Sequence, residues 1–252
     1  MRSLLVTGFL VLFLTACTTE RVIEPSDPKH ASDINSRLGL GYLKRGQYKR
    51  AMGKLDKAIR YDEDNASAYH YKAEVYRRLE EPEKAEEFFA KAIELAPEDQ
   101  LIQNNYGVFL CDKGQYDKAI KIFKKPLKDP FYNNKANIHE NIGLCRLRQG
   151  NINAAQDAFK EALKINPRMP KSLIKLSQIR FDAGLKKESY RLFGQYTSIS
   201  QHTPESLWLG ILLENERGAK NTVASYKVKL KGKYPDSKQT KLLLKLERQG
   251  KI

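Results

Sequence analysis

The sequence predicts an all-α protein in which about six helix pairs stack into an α-solenoid that ends in a C-terminal capping helix. Three segments support this prediction because they repeat one pattern: residues 38–64, 106–130 and 142–167. Each contains an amphipathic stretch, a Gly-x-Tyr or Gly-x-Ile turn, and a second amphipathic stretch with small residues at fixed places. A single pair leaves an outer apolar face uncovered, so neighbouring copies are expected to stack.

The chain opens with an apolar segment, Leu4 to Ala16, that carries no charge. A helix of this length rises only about 20 Å, whereas the hydrocarbon layer of a bilayer is about 30 Å thick. The segment is therefore too short to span a membrane. With a basic residue ahead of it and small residues at its end, it has the layout of an export signal, which we predict at residues 1–16.

The end of this signal, Leu14-Thr15-Ala16-Cys17, resembles the lipobox of bacterial lipoproteins. The resemblance implies cleavage before Cys17 and acylation of that residue, with the alternative of an ordinary signal peptide. Thr18, where an aspartate would favour the inner membrane, implies retention at the outer membrane. Several acyl chains would hold the protein firmly at the lipid surface. Residues 17–31 contain two prolines and no periodic apolar face, so they are predicted to form a tether.

From Ser32 onward the repeats resemble the tetratricopeptide repeat, in which about 34 residues form two antiparallel helices. Glycine or alanine at the eighth and twentieth positions, such as Gly39 and Ala51, would let the two helices of a pair approach closely. In the last repeat, Trp208, Ile211, Ala224 and Val228 are assigned to the packing positions. The predicted tetratricopeptide-repeat domain covers 32–252, with repeats at 32–65, 66–99, 100–135, 136–169, 170–204 and 205–236 and a cap at 237–249.

The third repeat departs from the pattern at Pro126, which stands where the others have alanine. Proline inside a helix costs about 3 kcal/mol, so we predict that this helix ends near Lys125. The following residues, 126–132, should form an irregular loop with Phe131 and Tyr132 at its edge. The loop is either a tolerated surface insertion or a partner contact.

Charge and cysteine content narrow the classes of function. The net charge is +15, and a basic surface of this kind often binds nucleic acid. Export argues against nucleic acid as the partner. Much of the excess lies in residues 217–252, which form either a solvated face or a surface for anionic headgroups, cell wall or an acidic partner. Cys111 and Cys145 lie in apolar helix patterns, which favours two buried thiols over a disulfide, although an oxidising compartment would permit the pair.

No arrangement of residues in the sequence predicts catalysis, and no metal site or cofactor is expected. The four histidines lack zinc-ligand spacing, and neither a Gly-x-Ser-x-Gly motif nor a phosphate-binding glycine loop is present. We therefore expect the protein to work by binding.

The binding surface is predicted on the first helix of each pair, at the positions that line the inner groove of tetratricopeptide arrays. Apolar side chains alternating there with amides and cations suit an extended or helical peptide. These candidate groove residues are Leu40, Leu43, Lys44, His70, Glu74, Arg77, Arg78, Asn104, Val108, Asp112, Glu140, Leu144, Arg148 and Phe181, with Cys111 and Leu147 at equivalent positions.

Together with the lipobox and the repeats, five short segments make the chain similar to the PilF/PilW family of type IV pilus biogenesis lipoproteins. These segments are LGLGYLKRG, NNYGVFL, HENIGL, SLWLGI and YPDS. The resemblance covers nearly the whole chain. It implies a pilotin, a lipid-anchored protein of the outer membrane that faces the periplasm and helps secretin subunits to reach that membrane and multimerise. Its partners would be a secretin subunit and, through Cys17, outer-membrane lipid. The alternative is a general periplasmic scaffold for cell-wall or outer-membrane assembly machinery.

Overall fold

The structure, a computed structural model, describes residues 25–252. The predicted signal peptide, the lipobox and Cys17 lie outside this range. Between residues 25 and 252 the chain forms thirteen α-helices, one short 3-10 turn and no strand, which confirms the all-α solenoid of six helix pairs and a final helix. The helices are α1 Pro28–Lys44, α2 Tyr48–Tyr61, α3 Ala66–Arg78, α4 Pro82–Leu95, α5 Gln100–Asp112, α6 Tyr116–Phe123, α7 Lys135–Arg148, α8 Ile152–Ile165, α9 Pro170–Asp182, α10 Lys186–Ile199, α11 Pro204–Glu216, α12 Lys220–Lys233 and α13 Lys238–Arg248.

Two local signals set the helix ends. Side chains at N-cap positions, such as Asn65 and Asp99, accept hydrogen bonds from backbone N–H groups of the first turn. The first helices of five pairs end before a glycine with φ between 70° and 83°, for example Gly114, a conformation that residues with a side chain rarely adopt. Helix α13 ends in the same way at Gly250, so the capping helix resembles the first helix of a seventh pair.

Close packing between the two helices of a pair fixes the core. In the third and fourth pairs the glycine of the first helix faces an aromatic ring of the second. A Cβ atom placed on Gly107 or Gly143 would lie 2.6 Å from Cε1 of Phe123 or Phe159. Both phenylalanines are fully buried. A larger residue at either glycine would therefore push the paired helices apart.

Stacking between pairs brings the first helices together along one wall. Within residues 25–252, each of α1, α3, α5, α7, α9 and α11 contacts the next odd-numbered helix in the chain. The second helices pack behind them, and the core consists of hydrophobic clusters that each span neighbouring pairs, such as that of Phe89, Phe109 and Ile138. This arrangement leaves the side chains of the first helices to line the groove.

The irregular segment after α6 follows from Pro126. Helix α6 ends at Phe123, two residues before the predicted end, and Pro126–Lys128 form a 3-10 turn. Pro126 itself is buried, and Tyr132 packs against the core. Phe131, by contrast, is 85% exposed. Whether this loop is a simple insertion or a partner contact stays a prediction.

The packing positions assigned in the last pair are wrong for two residues. Ala224 is exposed and Val228 is 71% exposed, whereas Val223 and Leu230 are buried. Val223 lies four residues after the N-cap of α12, as Ala51 lies four residues after the N-cap of α2. The assignment counted from one residue too late, because the first helix of this pair begins at Pro204.

The favoured expectation of two separate thiols is also wrong, because Cys111 and Cys145 form a disulfide. Their Cα atoms are 5.7 Å apart, and they are separated by 34 residues. Since that separation is about one repeat, the two side chains meet on the neighbouring first helices α5 and α7. The bond joins the third and fourth pairs.

Candidate peptide-binding groove

The N-terminal part of the groove brings six of the candidate residues to one cavity. We call this cavity of about 410 Å³ the front pocket. The candidate residues that line it are Leu40, Leu43, Lys44, His70, Glu74 and Arg78, and they are joined there by Tyr71, Leu101 and Asn105. The first three pairs therefore supply one surface with apolar, amide and cationic groups.

His70 forms the polar floor of the front pocket. Its ring is almost fully buried, and its Nε2 atom lies 2.9 Å from the side-chain nitrogen of Asn105. Burial lowers the pKa of His70, while the carboxylates of Glu74 and Asp99 oppose the change. Because an amide nitrogen can only donate, the arrangement fits a neutral imidazole that accepts at Nε2.

A chain of charged side chains connects three consecutive first helices, α3, α5 and α7. Arg77 donates to the Glu74 carboxylate from Nε and Nη2, the latter over 2.8 Å, and reaches an oxygen of Asp112 at 3.3 Å from Nη1. Arg148 pairs with the other oxygen of Asp112. We call these four residues the charge chain. It joins α3, α5 and α7 and neutralises the two arginines within the protein.

The remaining candidate residues contact other parts of the protein. Asn141 donates to the side-chain oxygen of Asn104 over 2.8 Å, which links α7 to α5. Val108 is half-buried against the core around the disulfide. Phe181 and Leu147 pack against the core of the C-terminal pairs and line neither pocket described here.

The C-terminal part of the groove contains a larger cavity, of about 870 Å³, which we call the back pocket. Glu140 and Leu144 are the candidate residues found there. It is lined by Asn137, Glu140 and Leu144 of α7, by Arg168, Met169, Lys171, Ile174 and Lys175 around the start of α9, and by Tyr196, Glu205 and Gln239.

Glu140 is a buried acid with a structural partner. One of its carboxylate oxygens accepts from the backbone N–H of Ser172 at 3.0 Å and from the Ser172 hydroxyl at 2.8 Å. Ser172 is the third residue of α9, whose own N-cap, Met169, has no capping side chain. Glu140 therefore caps α9 from the neighbouring helix, where the helix dipole favours a negative charge.

Several residues of the back pocket escaped the sequence prediction. Lys171 and Ile174 occupy the second and fifth positions of their repeat, so the rule that selects His70 would also have selected them. Tyr196 comes from a second helix and Gln239 from the cap. No repeat position signals that these two residues reach the groove.

Residues 25–252 contain neither a metal-binding cluster nor a membrane-spanning helix. That part of the chain holds no cluster of three His, Cys, Asp or Glu side chains arranged to bind a metal ion. It also contains no helix with the length and apolar character needed to cross a bilayer. His139 and His202 are half-buried, and burial lowers the pKa of each.

Comparison with protein families identifies the repeat. Two tetratricopeptide-repeat models match, one over residues 36–100 and the other over residues 98–168. Both matched ranges lie within the helix pairs described above.

Comparison with individual proteins extends the similarity to nearly the whole chain. The type IV pilus assembly protein PilF of Pseudomonas aeruginosa strain PAO1 is 28% identical over 232 residues, which are 90% of this chain and 92% of that protein. A solved structure of Pseudomonas aeruginosa PilF superposes with a TM-score of 0.79 at 28% identity, covering 86% of this chain and 98% of the other. The crystal structure of PilW, a widely conserved type IV pilus biogenesis factor, gives 0.75 at 27% identity, with 84% and 98% covered.

Proposed function

This chain belongs to the PilF/PilW family of type IV pilus assembly tetratricopeptide-repeat proteins, and we propose that it acts as the pilotin of a secretin. The family is non-enzymatic, and the protein works by binding. In this proposal the groove holds a segment of a secretin subunit, and the subunit is thereby brought to the outer membrane and into its ring. The observation that carries the proposal is the similarity to PilF along nearly the full length of both chains.

The anchor of the proposal is Cys17, acylated and held at the periplasmic face of the outer membrane. The residues between Cys17 and α1, which begins at Pro28, supply the tether between this anchor and the repeats. Confinement at a surface raises the effective concentration of bound subunits, which favours their assembly without any chemical step. The lipid thus contributes location, and the groove contributes recognition.

The front pocket is the proposed contact for the secretin segment. Leu40 and Leu43 offer an apolar surface, while Asn105 offers an amide and Arg78 an exposed cation. This combination suits a peptide, because its backbone needs hydrogen-bond partners and its side chains need apolar contacts. Arg78 has no carboxylate within 4.0 Å between residues 25 and 252, so it is available to a partner.

The anchor is tested by replacing Cys17 with serine. We expect the Cys17→Ser protein to leave secretin subunits mislocalised and monomeric, as measured by membrane fractionation and by the amount of heat-resistant secretin multimer on gels. Wild-type localisation and multimer content in this variant would refute the anchor. Cell-shape or envelope defects without loss of pili on deletion would instead support the general periplasmic scaffold.

The groove is tested by Leu40→Asp, with Ile165→Asp as its matched control. Leu40 lines the front pocket, whereas Ile165 is 49% exposed at the end of α8 and lines neither pocket. We expect only the Leu40 variant to lose binding of purified secretin subunits in pull-downs. Equal binding by the two variants would remove the front pocket from the proposal.

A further inference from the structure

The back pocket is larger than the front pocket and has no part in the proposed contact with the secretin. We propose that it is a second peptide-binding site, whose ligand is a protein segment with a bulky apolar side chain flanked by carboxylates. This inference goes beyond the pilotin role, since it concerns another surface and a ligand of defined chemistry. Three features of the pocket support it.

The first feature is an apolar floor. Ile174 and Tyr196 are buried beneath the pocket, at 8% and 2% exposure, and Leu144 and Met169 complete the apolar surface. A volume of about 870 Å³ lies within the range of about 300–1,000 Å³ that small-ligand sites have in proteins. The floor can therefore accept a large apolar side chain together with the adjacent backbone of a peptide.

The second feature is a fixed hydrogen-bond acceptor. Both hydrogen bonds from Ser172 go to Oε2 of Glu140. The other oxygen, Oε1, receives no donor from residues 25–252, and it is not among the buried unpaired atoms of that range. Glu140 is only 9% exposed, so its carboxylate is held in place. It is suited to accept a backbone N–H of a bound peptide.

The third feature is the charge of the rim. Arg168 and Lys171 are exposed, and neither has a carboxylate within 4.0 Å in the described part of the chain. Lys175, in contrast, is neutralised by Glu205 at 2.9 Å. With Lys175 and Glu205 paired, the pocket keeps two cations against the single carboxylate of Glu140. The net positive charge beside an apolar floor selects for a ligand that carries negative charge next to its apolar side chain.

The boundary of the pocket limits what it can hold. Helix α13 is the last helix within residues 25–252, and its residue Gln239 forms part of the pocket wall. The opposite wall is α7, which is joined to α5 by the disulfide. The site therefore suits a short segment of a partner better than a long peptide that runs the length of the groove.

Binding can be measured on the purified full chain by fluorescence anisotropy with three labelled hexapeptides. The test peptide is Asp-Glu-Leu-Phe-Glu-Asp. One control replaces its Leu-Phe with Ser-Ser, and the other replaces its acids with lysine. We expect saturable binding of the test peptide, weaker binding of both controls, and loss of affinity at high salt. No saturable binding of the test peptide at about millimolar concentration, a weak affinity for any specific site, would overturn the proposal.

Charge reversal locates the site. We expect R168E/K171E to weaken binding of the test peptide at least about tenfold, since like charges now face each other. The matched control is K121E/K124E, which makes the same change in net charge at two exposed lysines at the end of α6 that have no ion-pair partner in residues 25–252. Equal loss in that control would overturn the proposal, because the binding would then be unspecific attraction.

A third variant separates the two pockets. K44E/R78E reverses the cations of the front pocket and should leave binding of the test peptide unchanged, whereas loss there alone would assign the peptide to the front pocket and overturn the proposal. Should R168E/K171E fail to fold, as judged by circular dichroism, R168Q/K171Q removes the charges without introducing acids. Failure of the Leu40→Asp test with secretin would leave these outcomes unaffected, so the two proposals can fail separately.

Discussion

The middle and the back of the groove are built on the same helix frame but differ in how far side chains fill the space between first helices. Between α3 and α7 the charge chain, the Asn104–Asn141 hydrogen bond and the disulfide join each helix to the next. Between α7 and α11 the described links are the hydrogen bonds from Ser172 to Glu140 and the Lys175–Glu205 ion pair, and a cavity about twice as large as the front pocket opens beside them. The wall is closed in its middle and open at the back.

The difference shows that the repeat determines the positions of the side chains in the groove. It does not determine which partners those side chains have. Arg77 and Lys171 both lie on first helices and both face the groove wall. Arg77 is held by two carboxylates, whereas Lys171 has none nearby in the described structure. The same fold can therefore supply a rigid wall in one place and a receptive site in another.

Of the changes predicted here for the wall, removal of the disulfide should lower stability the most. We expect C111A/C145A to lower the free energy of unfolding of α5–α7 by about 3–4 kcal/mol, since the bond closes a loop of 34 residues. Native-state hydrogen exchange measures this, because stability in a repeat array is largely a property of neighbouring units. Amides of α11–α13 should keep their protection.

The control for this experiment is the wild-type protein treated with a thiol reductant, which should reproduce the double variant. Equal loss of protection at both ends of the array would contradict the local role of the bond. It would show that the front and back of the groove unfold as one unit.

Overpacking at Gly143 should have the next largest effect, because it tests the frame that both ends share. An added Cβ would lie 2.6 Å from the Phe159 ring, so Gly143→Ala should cost about 1–3 kcal/mol. The matched control is Gly194→Ala on α10, where the new Cβ would meet no atom within 4 Å apart from its chain neighbours and the nearby backbone of its own helix. That change should stabilise the protein by about 0.5–1 kcal/mol in thermal or urea unfolding.

A loss of stability at Gly194 as large as that at Gly143 would contradict this account of the frame. The cost would then come from any change of helix glycine and not from the contact with Phe159. The two variants differ only in what the new methyl group meets.

Sequence patterns predicted the frame well because its determinants are local. Glycine turns, such as that at Gly114, and small residues at fixed spacing act within one helix pair, and the all-α solenoid follows from them. The register of the last pair failed by one residue, because the small residue taken to mark it, Ala224, stands at an exposed position of α12. Burial of Val223 and exposure of Val228 reveal it only in three dimensions.

The site was predicted less completely, because its chemistry depends on contacts between pairs. Groove positions identified His70 and Glu140, but they did not show that one is buried against Asn105 and that the other caps a neighbouring helix. The spacing of Cys111 and Cys145 by one repeat was the available signal for the disulfide. Tyr196 reaches the back pocket from a second helix, for which the groove pattern has no position.

Acidification should lower the stability of the folded protein through His70 in the front pocket. We expect this loss to be smaller than those caused by removing the disulfide or by Gly143→Ala. Burial lowers the pKa of this histidine in the folded state, so the unfolded state binds the proton more readily. Its contribution to stability should be complete above the unfolded pKa of about 6.5 and should decline as the pH falls toward the folded pKa. Urea unfolding at several pH values measures the slope.

The matched variants for this prediction are His70→Gln and His139→Gln. The pKa of His139 is lowered for the same reason, but that residue is only half-buried. We expect His70→Gln to flatten the pH dependence more than His139→Gln does. The same slope in wild type and His70→Gln would show that protonation of His70 does not oppose folding.

The smallest expected changes in stability come from neutralising the cations, both the paired Arg77 and the unpaired Arg168 and Lys171. Arg77 and Asp112 have side chains 24% and 33% exposed, so a double-mutant cycle with Arg77→Gln and Asp112→Asn should give a coupling of at most about 1 kcal/mol. Arg168→Gln and Lys171→Gln should change stability by less than about 0.5 kcal/mol, because no carboxylate of residues 25–252 pairs with either. Thermal unfolding of the five variants measures both. If neutralising Lys171 cost as much as neutralising Arg77, the rim of the back pocket would be part of the fold, and its charges would not be free for a ligand.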